Sequence, residues 1–277
     1  MKKILVPVDF SECSEYALEV AANLAKKHDV EIIALHMLSI PETVLKGTQS
    51  KEMLEGIYYI KLAEKRFKEF LDRDYLKGIS ITDSVYNYKN FNELNTVALE
   101  KEADLIIMGS HGSSGLSEVF VGSNTEKVVR NSDIPVLVVK KESKNFNTEK
   151  AVFACDFIEE NLNAFKNAIK LFNFFTNANL KLLYINLPGQ NYRSTKEIDT
   201  RVKKFLTKAD ALHLLDQVDY YNDYTVEDGI YNYSNKMGID IIALPTHGRR
   251  GLAHFFAGSV SEDLVNHSTI PVITFKL

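Results

Sequence analysis

Cysteine is scarce in this chain of 277 residues. Cys13 and Cys155 lie far apart and form no Cys-x-x-Cys pair. That count and spacing exclude a disulfide framework and a zinc knuckle, and a reducing compartment, the cytoplasm, is the expected location. Long apolar runs are missing as well. The stretch Ile4 to Val8 stops at Asp9, too short for the apolar region of a secretory signal, and no run approaches the roughly 20 residues of a membrane span. A basic tract is also absent: the formal net charge is −4 and the lysines and arginines are dispersed, so the phosphate-neutralising surface of a nucleic-acid binder is not evident. Neither a membrane nor a nucleic acid is therefore expected as a partner.

What is present is an ordinary globular balance, 45% hydrophobic and 25% charged, over a length suited to two domains of common size. The chain also repeats itself. Asp104, His111, Gly112, Gly115, Leu116, Gly122, Ser123, Ile134 and Pro135 recur 136 positions later as Asp240, His247, Gly248, Gly251, Leu252, Gly258, Ser259, Ile270 and Pro271. Nearer the start, Val6-Pro7-Val8-Asp9-Phe10 is answered by Phe153-Ala154-Cys155-Asp156-Phe157 at an offset of 147, so the first half carries 11 extra residues between its landmarks. Pro41 to Tyr59, with a loop-like Gly47 to Ser50, is where these are expected. The polar stretch Lys141 to Lys150 is the join, which gives domains of residues 1–143 and 148–277.

Each half reads as strand and helix in alternation. Lys3 to Val8 is an apolar, β-branched strand, followed by Ser11 as helix N-cap with Glu12 and Glu15 in the first turn. Glu31 to Leu38, Ile79 to Tyr86, Asp104 to Met108 and Pro135 to Val139 read as the remaining strands. Helices are expected within Lys51 to Tyr75, Phe91 to Glu100 and Thr125 to Arg130. Five strands with intervening helices predict an α/β fold of two repeated, doubly wound, five-stranded and mostly parallel sheets. The last strands, beginning at Pro135 and Pro271, are expected to pair or pack across a pseudo-twofold, making an internal dimer. In such sheets ligands sit beyond the carboxyl ends of strands where the strand order reverses, which points to Asp9 and to the glycines after the fourth strand.

Those glycines follow a spacing of Gly-x2-Gly-x9-Gly-Ser, from Gly109 through Gly112 to Gly122-Ser123. Seven of the thirteen glycines fall in this window and its copy, so the backbone there does something side chains would obstruct. Two readings stay open on spacing alone. Glycines let a phosphate approach backbone amides, and the helix after Ser123 offers unpaired N–H groups to an anion. Equally, Ser123-x-x-Glu126 and Ser259-x-x-Glu262 fit a capping box that merely closes a helix.

The segment Val-Asp-Phe-Ser after strand one, the Gly-x2-Gly-x9-Gly-Ser loop and the Ile-Pro-Val entry to the last strand together resemble the universal stress proteins in their tandem form. The resemblance spans essentially the whole chain and implies a Rossmann-like fold similar to that of the adenine nucleotide alpha hydrolases. It implies binding of ATP or AMP, with Mg2+ accompanying ATP. Asp9 would lie near the adenosine beside Val8, Pro7 and Met37 would flank adenine, and Met108 would stand at the loop entrance. Gly109, Gly112, Gly122, Ser123, Asn124 and Thr125 would hold ribose and phosphates. A second site would use Asp156, Ile185, Gly248, Gly258, Ser259, Val260 and Ser261.

Rival chemistries lack their motifs. No glycine follows strand one where a G-x-G-x-x-G fingerprint belongs, and a Walker A lysine is missing. His111 and His247 have no second ligand at helical or hairpin spacing, and Ser113 and Ser114 have no placed base. The expected role is thus a nucleotide-binding regulatory module in the stress response, not an enzyme, with weak ATP hydrolysis at most. The alternative is a dimerisation adaptor of the same fold that binds no nucleotide, and further self-association is open in either case. The halves should also be unequal, because Gly109 becomes Pro245, Pro7 becomes Ala154, and Asn124-Thr125 become Val260-Ser261.

Overall fold

The structure, a computed structural model, describes residues 1–38, 50–87, 93–110, 123–141, 146–175, 178–246, 264 and 268–277. In the first half the strands are β1 (Lys3–Pro7), β2 (Glu31–Leu38), β3 (Ile81–Asn87), β4 (Leu105–Gly109) and β5 (Val136–Val139). The helices between them are α1 (Glu12–His28), α2 (Ser50–Leu71), α3 (Leu94–Glu100) and α4 (Ser123–Asn131). The second half has β6 (Lys150–Ala154), α5 (Leu162–Phe174), β7 (Asn179–Asn186), α6 (Thr195–Lys208), β8 (Val218–Asn222), α7 (Val226–Met237), β9 (Ile241–Thr246) and β10 (Val272–Lys276).

Strand alternation sorts the core into two layers. On β1, Ile4 and Val6 join a cluster beneath α1, α2, α5 and α6, while Leu5 joins the other, beneath α3, α4 and α7. α1 forms where expected: Ser11 caps it by accepting from the amide of Ser14, and Ala17, Val20, Ala21 and Leu24 are buried on one face.

Both halves have the same strand order, and they do not remain separate sheets. One ten-stranded sheet runs β3-β2-β1-β4-β5-β10-β9-β6-β7-β8. The neighbours are parallel within each half, and β10 meets β5 antiparallel at the centre, with Ile273 opposite Leu137. The expected pairing of the last strands is thus a main-chain ladder. It is reinforced by the hydroxyl of Thr274 donating to the carbonyl of Val136 and by an ion pair of Lys276 with Asp133 at 2.6 Å.

The repeat has a structural explanation in several places. Asp104 accepts from the amides of Lys2 and Lys3, and Asp240 does the same for Lys150, so each aspartate locks the start of the fourth strand to the start of the first. Both residues precede their strands, so β4 begins at Leu105, one position later than the expected Asp104. Ser132 and Ser268 each bond both the amide and the carbonyl of the isoleucine two residues on, shaping the turn before proline. The extra residues of the first half divide between a longer link from β2 to α2 and a longer helix, 22 residues in α2 against 14 in α6.

Candidate functional site

The strand order reverses between β1 and β4 and again between β6 and β9. At the first reversal β1 and β4 pair only as far as Leu5 and Ile106. β1 nevertheless continues along β2 to Pro7, and β4 along β5 to Gly109. The two strands therefore part at their carboxyl ends, which opens the crevice that doubly wound sheets use for ligands. Pro7 and Met37 are half-buried at its edge, Val8 and Met108 are buried, and Met37 and Met108 belong to the same apolar layer.

Asp9 leaves β1 at the rim. Its carboxylate accepts from the amide and the hydroxyl of Ser11, at 3.0 and 2.5 Å, so it braces the cap of α1. Partial burial works to raise the carboxyl, but the hydrogen bonds from Ser11 and Ser14 outweigh it and hold the pKa below the ordinary value. A depressed carboxylate stabilises the fold above the ordinary aspartate pKa, and that contribution is lost as pH falls through the folded value. The melting-temperature advantage of the wild type over Asp9→Asn should therefore shrink as pH drops from 6 to about 3. An advantage that is flat over that span would show that the charge plays no part in the cap.

The residue after each aspartate has left-handed backbone, φ 65° at Phe10 and 54° at Phe157, a conformation that bulky residues rarely take. Packing holds it. Phe10 sits among His36, Phe67 and Phe70, and the ring nitrogen of His36 is 2.6 Å from the carbonyl of Val8. The sequence shows the repeated phenylalanine but carries no signal for its backbone.

Gly109 has a packing requirement of its own. A Cβ at this position would lie 1.9 Å from the carbonyl oxygen of Cys13 in the first turn of α1. Behind it, the Thr125 hydroxyl donates to the Gly109 carbonyl at 3.5 Å, and Asn124 is exposed. Ser123 is the first residue of α4, and Glu126 pairs with Arg130 at 3.0 Å. A complete capping box is present at α6, between Ser194 and Glu197. Gly112, Gly122, Gly248, Gly258, Ser259, Val260 and Ser261 lie outside the described residues, as do His111 and His247.

One residue that sequence reasoning missed is Lys140, directly after β5. Its ammonium is buried with no hydrogen-bond partner among the described residues, and burial lowers its pKa to about 8. Burial raises both thiols, Cys155 far above the usual range, so neither cysteine offers a thiolate. No group of three or more metal-ligating side chains occurs among the described residues.

In the second half Ile185 of β7 stands at the position of Met37 in β2. Ile185 lodges against α7, where a Cβ on Gly229 would lie 2.8 Å from its side chain. Only about 20 Å3 remains among residues that include Cys155, Asp156, Ile185 and Ile230, room for a single water. Asp156 is occupied by the side-chain amide of Asn161 at 2.7 Å. Among the described residues no helix is long and apolar enough to cross a membrane.

Two doubly wound α/β modules in tandem, each with a reversal of strand order at its centre, define the class of protein. The family model described as Universal stress protein family matches residues 1–140 and 147–276, and the chain belongs to that family. It is similar over its full length to a universal stress protein of Synechocystis sp., 22% identical and covering 100% of both chains. A universal stress protein of Methanocaldococcus jannaschii is 35% identical over 150 residues, which is 52% of this chain and 84% of that one. A crystal structure of a universal stress protein from Archaeoglobus fulgidus superposes with TM-score 0.68 at 20% identity, over 99% of this chain and 98% of the other, and so shares the fold.

Proposed function

We propose that the chain is a stress-response module that binds ATP or AMP in the crevice of its first half, while the second half serves packing. The observation that carries this reading is the parting of β1 from β4 beside Met37 and Met108, directly before the glycine-rich loop, set against the filled position around Ile185. Adenine suits a half-buried slot between Pro7 and Met37. The glycine loop and the start of α4 suit phosphates, for which backbone amides are donors. Lys140 supplies a cation at the same edge of the sheet. The groups named here are binding groups, and regulation by occupancy in the cytoplasm is the role we infer from them.

Calorimetric titration with ATP should give one dominant site, lost in Gly122→Val and retained in Gly258→Val. Lys140→Met should weaken ATP more than AMP, because the added phosphates bring added charge. Two equal sites, or loss through Gly258→Val alone, would reject the asymmetry. Purified protein that releases no adenine nucleotide on denaturation and takes up none in titration would support the adaptor reading. An ATPase rate within the usual range of about 1–1000 per second would overturn the non-catalytic reading.

A further inference from the structure

Across the sheet from the crevice layer, the second half carries a cavity of about 590 Å3, the size of a small-molecule site. It lies between the side of α6 and the turn after β6, Phe157–Glu159, with Tyr184 of β7 in its wall. The two halves differ sharply here. In the first, Phe10 is packed by His36, Phe67 and Phe70 at centroid distances of 4.5, 5.2 and 5.6 Å, with Arg66 5.9 Å over its ring. In the second, Phe157 replaces Phe10, Tyr184 stands for His36 and Phe205 for Phe67, at 6.4 and 5.4 Å. Three residues after Phe67 comes Phe70, whereas three after Phe205 comes Lys208, which reaches across to Glu159 at 2.5 Å. One ring fewer leaves the space open.

Its walls combine an apolar floor with a cationic rim. Phe157, Tyr184 and Phe205 are buried, and the ring of Tyr184 stands 6.4 Å from that of Phe157. Arg193, Lys196, Arg201 and Lys204 stand around it. The two carboxylates nearby are engaged, Glu159 with Lys208 and Glu197 with Ser194. Arg201 is steadied by donating to the Asp156 carbonyl at 3.4 Å, and Arg193 by donating to the carbonyls of Gln190 and Tyr192. Four cations over a buried aromatic floor suit a dianion attached to a flat ring, since guanidinium groups pair with phosphate oxygens and also stack on rings. We propose that this cavity binds an organic phosphate monoester with an aromatic body, independently of the crevice on the other side of the sheet. The ring would lie toward Phe157 and Phe205, and the phosphate toward Arg201 and Lys204.

The test uses the full chain with saturating ATP present and 1-naphthyl phosphate as the calorimetric probe. One equivalent should bind. Lys208→Phe, which restores the ring found in the first half, and the double variant Arg201→Gln/Lys204→Gln should each weaken it at least about tenfold while leaving ATP titration unchanged. Inorganic phosphate and 1-naphthol should each bind at least about tenfold more weakly than the probe. Displacement by AMP would assign the site to nucleoside phosphates and failure of displacement to simpler aryl phosphates, and both uphold it. No binding of the probe at millimolar concentration, wild-type affinity in both variants, or inorganic phosphate binding as well as the probe would overturn the inference. Loss of the probe in Gly122→Val but not in Lys208→Phe would place it in the nucleotide crevice and overturn it as well.

Discussion

Gly109→Ala is expected to lower the melting temperature by about 10 °C, with a matching loss in chemical denaturation. The added Cβ would meet the Cys13 carbonyl oxygen at 1.9 Å and its carbon at 2.2 Å, and both are backbone atoms within the first turn of a capped helix. A flexible side chain could swing aside, but here β4 or the whole of α1 must move. α1 packs closely on β4 and β1 through Ala17, Val20 and Ala21, all fully buried, so the shift spreads into the core. Overpacking of this kind costs about 3 kcal/mol or more. Gly78→Ala is the control. Its φ of +80° makes alanine unfavourable by about 1 kcal/mol, yet nothing lies within 4 Å of the new methyl. Equal melting temperatures for the two variants would refute the close approach. The second half accommodates Pro245 at the matching place in β9, and there the facing chain makes a 3-10 turn at Glu159–Asn161 before α5 begins at Leu162. The helix starts three residues later than α1 does relative to the repeat.

Cutting the chain after Pro271 should destabilise both halves together. β10 lies between β5 of one half and β9 of the other, and Val272, Ile273 and Phe275 are no more than 2% exposed. Losing the burial of three such side chains removes roughly 5–8 kcal/mol, comparable with the whole stability of many domains. Two unpaired edges, β5 and β9, are then left to pair with other chains. Hydrogen exchange should show protection falling in β4 and β5 as well as in β9, with association at raised concentration. Ile273→Asp is the milder version. It sets a carboxylate opposite Leu137 in the central ladder and should cost about 3–5 kcal/mol, with both halves again affected. First-half strands that keep wild-type protection in both variants would show that the halves are independent.

Much of this molecule is legible in its sequence. β2 matches its apolar segment to the residue, and the cap at Ser11 is placed correctly, because alternation and capping are local effects. The repeat identifies two copies of one unit and, through Pro135 and Pro271, the strands that join them. Partner choice illustrates the limit: the capping pattern at Ser123 names Glu126 but does not show its ion pair with Arg130 one turn along the helix. Ser194 and Glu197 satisfy the same pattern in space as well as in sequence.

Residue order by itself thus determined the strand and helix alternation, the tandem repeat, the reversal point toward which the glycines lead, and the residue differences between the two glycine loops. Tertiary structure alone decided that the last strands pair through the main chain and so fuse two sheets into one, that Gly109 is bare because α1 crosses it, and that Ile185 packs on Gly229 of α7. It also decided that replacing one ring with Lys208 leaves a cationic cavity beneath α6. The physical reason is range. Periodicity and capping act within a turn or a strand, whereas close approach, filled volume and opposed charge depend on residues that meet only after the chain has folded.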